Sequence, residues 1–243
     1  SITGIVEKSD CDRFSVVKYA AALLREGAIR PMTTDRIVAR AEDAVAHGAP
    51  AEAVPLLRRA LERGDAHPSV RVRYADALAA SGDVRAGAAE LDTYAASFEA
   101  ADPVGVFDAL QRAMQWREGD ASTAARLCDH YLRHANALRS RTHDAVDALR
   151  LLVRGAGPSG RAAEAAPRLA AFVERGDVPG EERLVLADLF ASAGRPVEAA
   201  QTLARRAEEL VQAGKLAAAQ DLLRRALGHD ASMPEHDHRA RTQ

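Results

Sequence analysis

Net charge, aromatic rings, cysteine and long apolar runs are all scarce in this 243-residue chain. The formal charge is −2 with histidine neutral, so bulk electrostatics give no support to binding of nucleic acid or an acidic membrane. Aromatics make up 4% of residues, which leaves Ala, Leu and Val to build the core and favours closely packed helices. Cys11 and Cys128 are the only cysteines, and two distant thiols make neither a disulfide framework nor a zinc ribbon. They are expected to act as small apolar side chains. No apolar run approaches the ~20 residues of a membrane span, and no signal-peptide pattern is present. A cytoplasmic protein without membrane insertion is therefore expected. The chain opens at Ser1 in sequence that reads as mid-domain, which suggests a fragment of a longer protein. Lysine is scarce too, occurring only at Lys8, Lys18 and Lys215. Arginine and alanine dominate instead, a codon signature of a GC-rich bacterial genome.

What is abundant is repetition. Leu-Leu-Arg-Arg-Ala-Leu occurs at Leu56 to Leu61 and again at Leu222 to Leu227. Gly48 and Ala53 precede the first copy, and Gly214 and Ala219 stand in the same register before the second. Residues Ala51 to Asp65 and Ala163 to Asp177, offset by 112, agree at nine of fifteen positions. In that match Pro55 and Pro167 fall near a helix start, where a missing N–H costs little, and Gly64 and Gly176 stand as helix C-caps. Gly48 and Gly82 are 34 residues apart, and so are Gly160 and Gly194. A period near 34 is that of paired helices joined by tight turns.

From about Thr33 to Gly228 the chain resembles the tetratricopeptide repeat family. The residues that carry the resemblance recur hairpin by hairpin. The first has Ala41, Gly48, Ala53 and Ala60; the second has Ala75, Gly82-Asp83 and Gly87. The third has Gly119-Asp120, Ala124, Cys128 and Tyr131, with Arg112 standing where a small residue belongs, so its first helix is shifted by one residue. The fourth has Ala148, an extended turn from Gly155 through Gly160, and Ala165; the fifth has Leu186, Ala187, Phe190, Gly194 and Ala199. Gly214 follows Gly194 after only 20 residues, so the helix between them serves both the fifth pair and the last helix.

The resemblance implies an all-α fold, a tetratricopeptide-like α-solenoid of about five to six stacked hairpins over residues 33–230. It further implies a concave groove for another protein or peptide. By the family's spacing, Arg73, Asp76 and Ala80 of the second hairpin face that groove, with Trp116 of the third and Val185, Asp188 and Ser192 of the fifth. A lone Trp on an Ala-rich helix serves equally well as packing between hairpins. The implied function is a non-catalytic scaffold or adaptor, without cofactor or metal, open to self-association through exposed array ends.

Residues 1–32 do not follow the repeat. Ile5-Val6, the turn Ser9 to Asp12, a helix from Arg13 to Glu26 with Phe14, Val17, Ala21 and Leu24 at helical spacing, Gly27 and Ile29 read as the middle of a winged helix-turn-helix. The segment resembles the winged-helix-like tail behind bacterial PATAN domains, which implies a parent protein in bacterial signalling or surface motility. The alternative is a transcription regulator that binds DNA through this segment and senses or dimerises through the repeats. Arg13, Lys18 and Arg25 are nearly cancelled by Glu7, Asp10, Asp12 and Glu26, so a helix covering the apolar end of the first hairpin is the plainer expectation. Residues 231–243 are polar, contain Pro234 and read as a flexible tail.

Little in the sequence carries catalytic chemistry. His130 and His134 share a helix face, but no Glu follows the first His as in a zincin, and a solvated pair is expected. His236 and His238 sit in the tail, which cannot preorganise a site. There is no phosphate-binding loop after a strand, and no Ser-His-Asp arrangement stands out. The chain is expected not to be an enzyme.

Overall fold

The computed structural model describes residues 12–28, 30–64, 66–118, 120–159 and 161–231. Among these every regular element is helical: twelve α-helices and one short 3-10 turn, with no strand. The chain divides into two compact units, residues 1–82 and 83–243.

The first unit holds α1 (Arg13–Arg25), α2 (Thr34–Ala46), α3 (Pro50–Glu62) and α4 (Ser69–Ala80). Thr33 starts α2 by accepting a hydrogen bond from the Arg36 N–H, and Pro50 fixes the first turn of α3, where its missing N–H costs nothing. Between them Gly48 adopts φ +75°, a left-handed backbone that glycine takes without penalty. Helix α3 packs against both α2 and α4. Ala41, Ala53, Ala60 and Ala75 are fully buried, so the helices cross on side chains no larger than a methyl group, and Ile37, Leu57 and Tyr74 fill the space beside them. Arg58 donates from Nε to the Tyr74 hydroxyl at 3.0 Å, satisfying the one polar atom of that buried ring.

The second unit runs through α5 (Val84–Phe98), α6 (Pro103–Trp116), α7 (Ala121–His134), the 3-10 turn Arg139–Arg141, α8 (Thr142–Ser159), α9 (Ala162–Arg175), α10 (Glu182–Ser192), α11 (Pro196–Gln212) and α12 (Leu216–Ala231). Each helix packs against its neighbours in the chain; α7 also meets α9, and α8 meets α10. This is the stacking of helical hairpins, first helix on first and second on second. Asp83, Asp102 and Asp120 cap α5, α6 and α7 by accepting from the N–H three residues on. Arginine ties the stack together. Arg168 of α9 makes a two-pronged bond to Asp129 of α7 at 2.7 and 2.8 Å, and Arg141 reaches Asp108 of α6 at 2.8 Å. A planar guanidinium makes such forked bonds and an ammonium does not, which suits the near absence of lysine.

One expectation is met in detail, and three meet a different structure. The one-residue shift of the third hairpin is present: Ala113 is the fully buried small residue rather than Arg112. As a result Glu118, at φ +52°, occupies the left-handed place one residue past the helix cap that Gly48, Gly82 and Gly194 fill elsewhere. Residues 155–159, expected as an extended turn, continue α8 for one more turn. The buried stripe Ala145, Ala148, Leu149 and Leu152 holds that helix, and packing of this kind outweighs the poor helix propensity of glycine and proline. Pro55 and Pro167 lie inside α3 and α9 rather than at their starts, because each helix begins five residues earlier, at Pro50 and Ala162. Finally, of the winged-helix expectation, residues 1–11 and 29 lie outside the described residues. What is described there is α1, which exposes Phe14, Val17 and Leu24, so the stripe expected to cover the first hairpin faces solvent.

Candidate functional site

Both units contain an open, apolar cleft built in the same way. In the first unit α2 and α4, two successive first helices, form the walls and α3 lies beneath. Ala41, Val45 and Ala46 come from α2, Ala77 and Ala80 from α4, and Leu57 from α3. The polar members are Glu42 on one wall and Arg73 and Asp76 on the other. Arg73 forms an ion pair with Glu42 across the cleft, with both side chains about half exposed. The cavity measures about 390 Å³, room for one or two apolar side chains of a partner.

In the second unit the walls are α8 and α10, over α9. Leu149 and Val153 come from α8, Val185 from α10, Leu169 from α9 and Val178 from the loop before α10. Arg150, Arg154 and Glu182 are the polar members, and the cavity is about 360 Å³. Leu169 stands 112 residues after Leu57, the offset of the internal repeat. The walls of α8 match those of α2 at an offset of 108, because α8 is one turn longer before its hairpin turn. Val153 thus stands for Val45, Arg150 for Glu42 and Arg154 for Ala46. The wall pair is reversed in polarity: Glu42 faces Arg73 in the first cleft, and Arg150 faces Glu182 at 3.9 Å in the second. Arg150 also bonds Asp147 on its own helix at 3.3 Å.

The residues singled out by sequence fall in several places. Arg73, Asp76 and Ala80 line the first cleft together, and Val185 lines the second. Asp188 lies farther along α10, where its carboxylate accepts from Arg225 of α12 at 3.0 Å, and Ser192 donates its hydroxyl to the Asp188 carbonyl at 2.8 Å. Trp116 is half-buried at the end of α6 and lines neither cleft. Sequence reasoning missed the opposite walls, Glu42 and Val45 or Arg150, Val153 and Arg154. No single repeat offset reaches them, because the floors match at 112 and these walls at 108.

His130 and His134 are not a solvated pair. His130 is 1% exposed, and its Nε2–H donates to the Pro103 carbonyl at 2.8 Å. A carbonyl can only accept, so this bond fixes the proton on Nε2 and leaves Nδ1 as the acceptor nitrogen. Nδ1 is buried without a hydrogen-bond partner, 3.9 Å from Glu99. Burial pushes the imidazole below its ordinary pKa, working against the Pro103 bond. The Cys128 thiol, fully buried nearby on α7, is pushed up to about 12 by burial, which favours its neutral form. Among the described residues no cluster of three or more His, Cys, Asp or Glu is placed to hold a metal, and no helix is long and apolar enough to cross a membrane.

No curated protein matches the chain. Two solved structures of nearly identical tetratricopeptide-like repeats, described as from a kinesin light chain of Podosopora anserina, are similar to it. A single-substitution variant of that protein has 17% identity and a TM-score of 0.39, covering 76% of this chain and 100% of its own. The parent repeat has 18% identity and a TM-score of 0.37, covering 76% and 93%. Likeness at that level transfers no partner or activity to this chain. A tetratricopeptide repeat family model matches residues 44–103, from the end of α2 to the start of α6.

Proposed function

We propose that the chain is a non-catalytic interaction scaffold that holds apolar side chains of a partner protein in the clefts between successive first helices. Tetratricopeptide repeats generally mediate protein–protein contacts. The observation that carries the reading is the recurrence of one cleft design in both units, with repeat-equivalent residues on floor and wall. An apolar depression kept open by Ala and Val, rimmed with charge, fits a peptide side chain better than it fits a reaction. A finer reading places the chain in a bacterial signalling or motility protein. It rests on the resemblance of residues 1–31 alone, and the sequence flanking the chain in its gene tests it.

The scaffold reading is tested by filling the clefts. Ala80→Trp and Val185→Trp are compared with Val104→Trp, a change at an exposed position of α6 outside both clefts. Partners captured from the source organism are expected to be retained by Val104→Trp and lost by at least one cleft variant. Equal capture by all three would remove the clefts from the function.

A further inference from the structure

The second cleft carries a positive excess that the first lacks at the same positions. Its lining has two guanidinium groups, Arg150 and Arg154, against the single carboxylate of Glu182. Arg150 is shared between Asp147 at 3.3 Å and Glu182 at 3.9 Å. Arg154 is exposed and uses its Nε–H on the Arg150 carbonyl at 3.4 Å, the geometry of one helical turn. Among the described residues no carboxylate lies within ion-pair distance of Arg154. Arg154 thus lines an apolar depression that has Leu149 on its wall and Leu169 as its floor. The repeat-equivalent position in the first cleft is Ala46, and Glu42 stands where Arg150 is.

We propose that the second cleft takes an apolar peptide side chain followed by a carboxylate, with Arg154 holding the carboxylate and the Val153–Val185 opening taking the apolar group. The proposal rests on the reading of the clefts as partner sites and adds the chemistry of the occupant. Charge complementarity selects the occupant. A carboxylate beside Arg154 gains a charge-assisted, two-pronged bond, whereas a lysine there meets two guanidinium groups. The first cleft serves as an internal control, since it offers the same apolar floor with neither of these arginines.

The test uses the full chain with labelled valine methyl groups and three capped nine-residue peptides. Each has a central Leu followed by Glu, Gln or Lys within a Gly/Ser background. The Leu-Glu peptide is expected to shift the Val153 and Val185 methyl signals and to bind about fivefold more tightly than Leu-Gln, the scale of one exposed ion pair. Leu-Lys is expected to bind more weakly still. Arg154→Ala should bring Leu-Glu down to the Leu-Gln affinity and leave Leu-Gln unchanged. Arg154→Lys should restore part of the difference, and raised salt should erase it. Equal affinity for Leu-Glu and Leu-Gln, or an equal loss of both in Arg154→Ala, would overturn the charge selection while leaving the clefts as binding sites. No methyl shift in either cleft with any peptide at millimolar concentration would overturn this proposal and the cleft reading beneath it.

Discussion

Leu57 and Leu223 hold the same place in the repeated Leu-Leu-Arg-Arg-Ala-Leu, yet Leu57 is 2% exposed and Leu223 is 44% exposed. The local sequence is identical, so the difference is one of neighbours. Helix α3 is packed on both sides, by α2 and α4, while α12 packs against α11 and no described helix follows it. A repeat buries its apolar face only when the next one covers it. Leu57→Ala should therefore cost about 3 kcal/mol, the transfer and cavity terms of a core leucine. Leu223→Ala should cost under about 1 kcal/mol, as an exposed position does. Chemical denaturation of both variants measures the pair. Equal costs would mean that the two copies are equally covered in solution.

Glu118 gives a second prediction. It holds φ +52° where the other hairpins place glycine. The left-handed region costs an ordinary residue about 1–2 kcal/mol, and glycine returns about half of that as chain entropy. Glu118→Gly is expected to raise stability by about 1 kcal/mol, or roughly 2 °C in a chain of this size. Gly48→Ala, at φ +75°, should move the other way. Thermal melts of the two variants give the signs, and a loss on Glu118→Gly would refute the strain.

Gly105 lies in the first turn of α6, and a Cβ there would collide with the Asp102 carboxylate and come within 2.7 Å of the Tyr94 hydroxyl. Asp102 caps α6 through the Gly105 N–H at 2.9 Å and accepts from Tyr94 at 2.7 Å. The partial burial of Tyr94, reinforced by that carboxylate, pushes its phenol up to about 12. Alanine is the better helix former by about 1 kcal/mol, but overpacking here costs about 1–3 kcal/mol. Gly105→Ala should thus lower stability by about 1 kcal/mol. In a Tyr94→Phe, Asp102→Ala background the same change should stabilise. If Gly105→Ala stabilises the otherwise unchanged chain, the clash is not real.

His130 makes stability depend on pH. Its folded pKa lies below the ordinary value of 6.5, chiefly because burial disfavours the imidazolium. As pH falls through 6.5 the unfolded chain takes up a proton that the folded chain resists, so stability is full above that pH and declines below it. Glu99 and His134 face the ring and act in opposite senses, with Glu99 favouring the charged form. His130→Gln keeps a side-chain N–H donor for the Pro103 carbonyl and removes the titration. Melts between pH 5 and 7.5 should show a shallower acid decline in the variant, and identical slopes would rule His130 out as the source.

Much of this fold was legible because the same few residue types recur at fixed places. Glycine marked the turns and alanine the helix crossings; even the misfit of Arg112 pointed to the shift that Ala113 completes. The errors have physical causes. Gly155 and Pro158 read as a turn because they are local helix breakers, and the packing of α8 decided otherwise. His130 read as solvated because its bond partner, the Pro103 carbonyl, arrives from another helix 27 residues away. Phe14, Val17 and Leu24 read as a buried stripe because periodicity shows that a face is apolar without showing what covers it. At the candidate site the family spacing reached one wall of each cleft, through Arg73, Asp76 and Ala80 and through Val185. The facing wall belongs to the previous hairpin, and only the three-dimensional stack brings it alongside.

The central claim is that partners enter the clefts. A photo-crosslinking amino acid placed at Ala80, at Val185 and at the control position Val104, followed by illumination with the native partner, measures this directly. Crosslinks to the partner should form at Ala80 or Val185, map to an apolar partner residue, and be absent at Val104. Crosslinks at Val104 with none at either cleft would contradict the account.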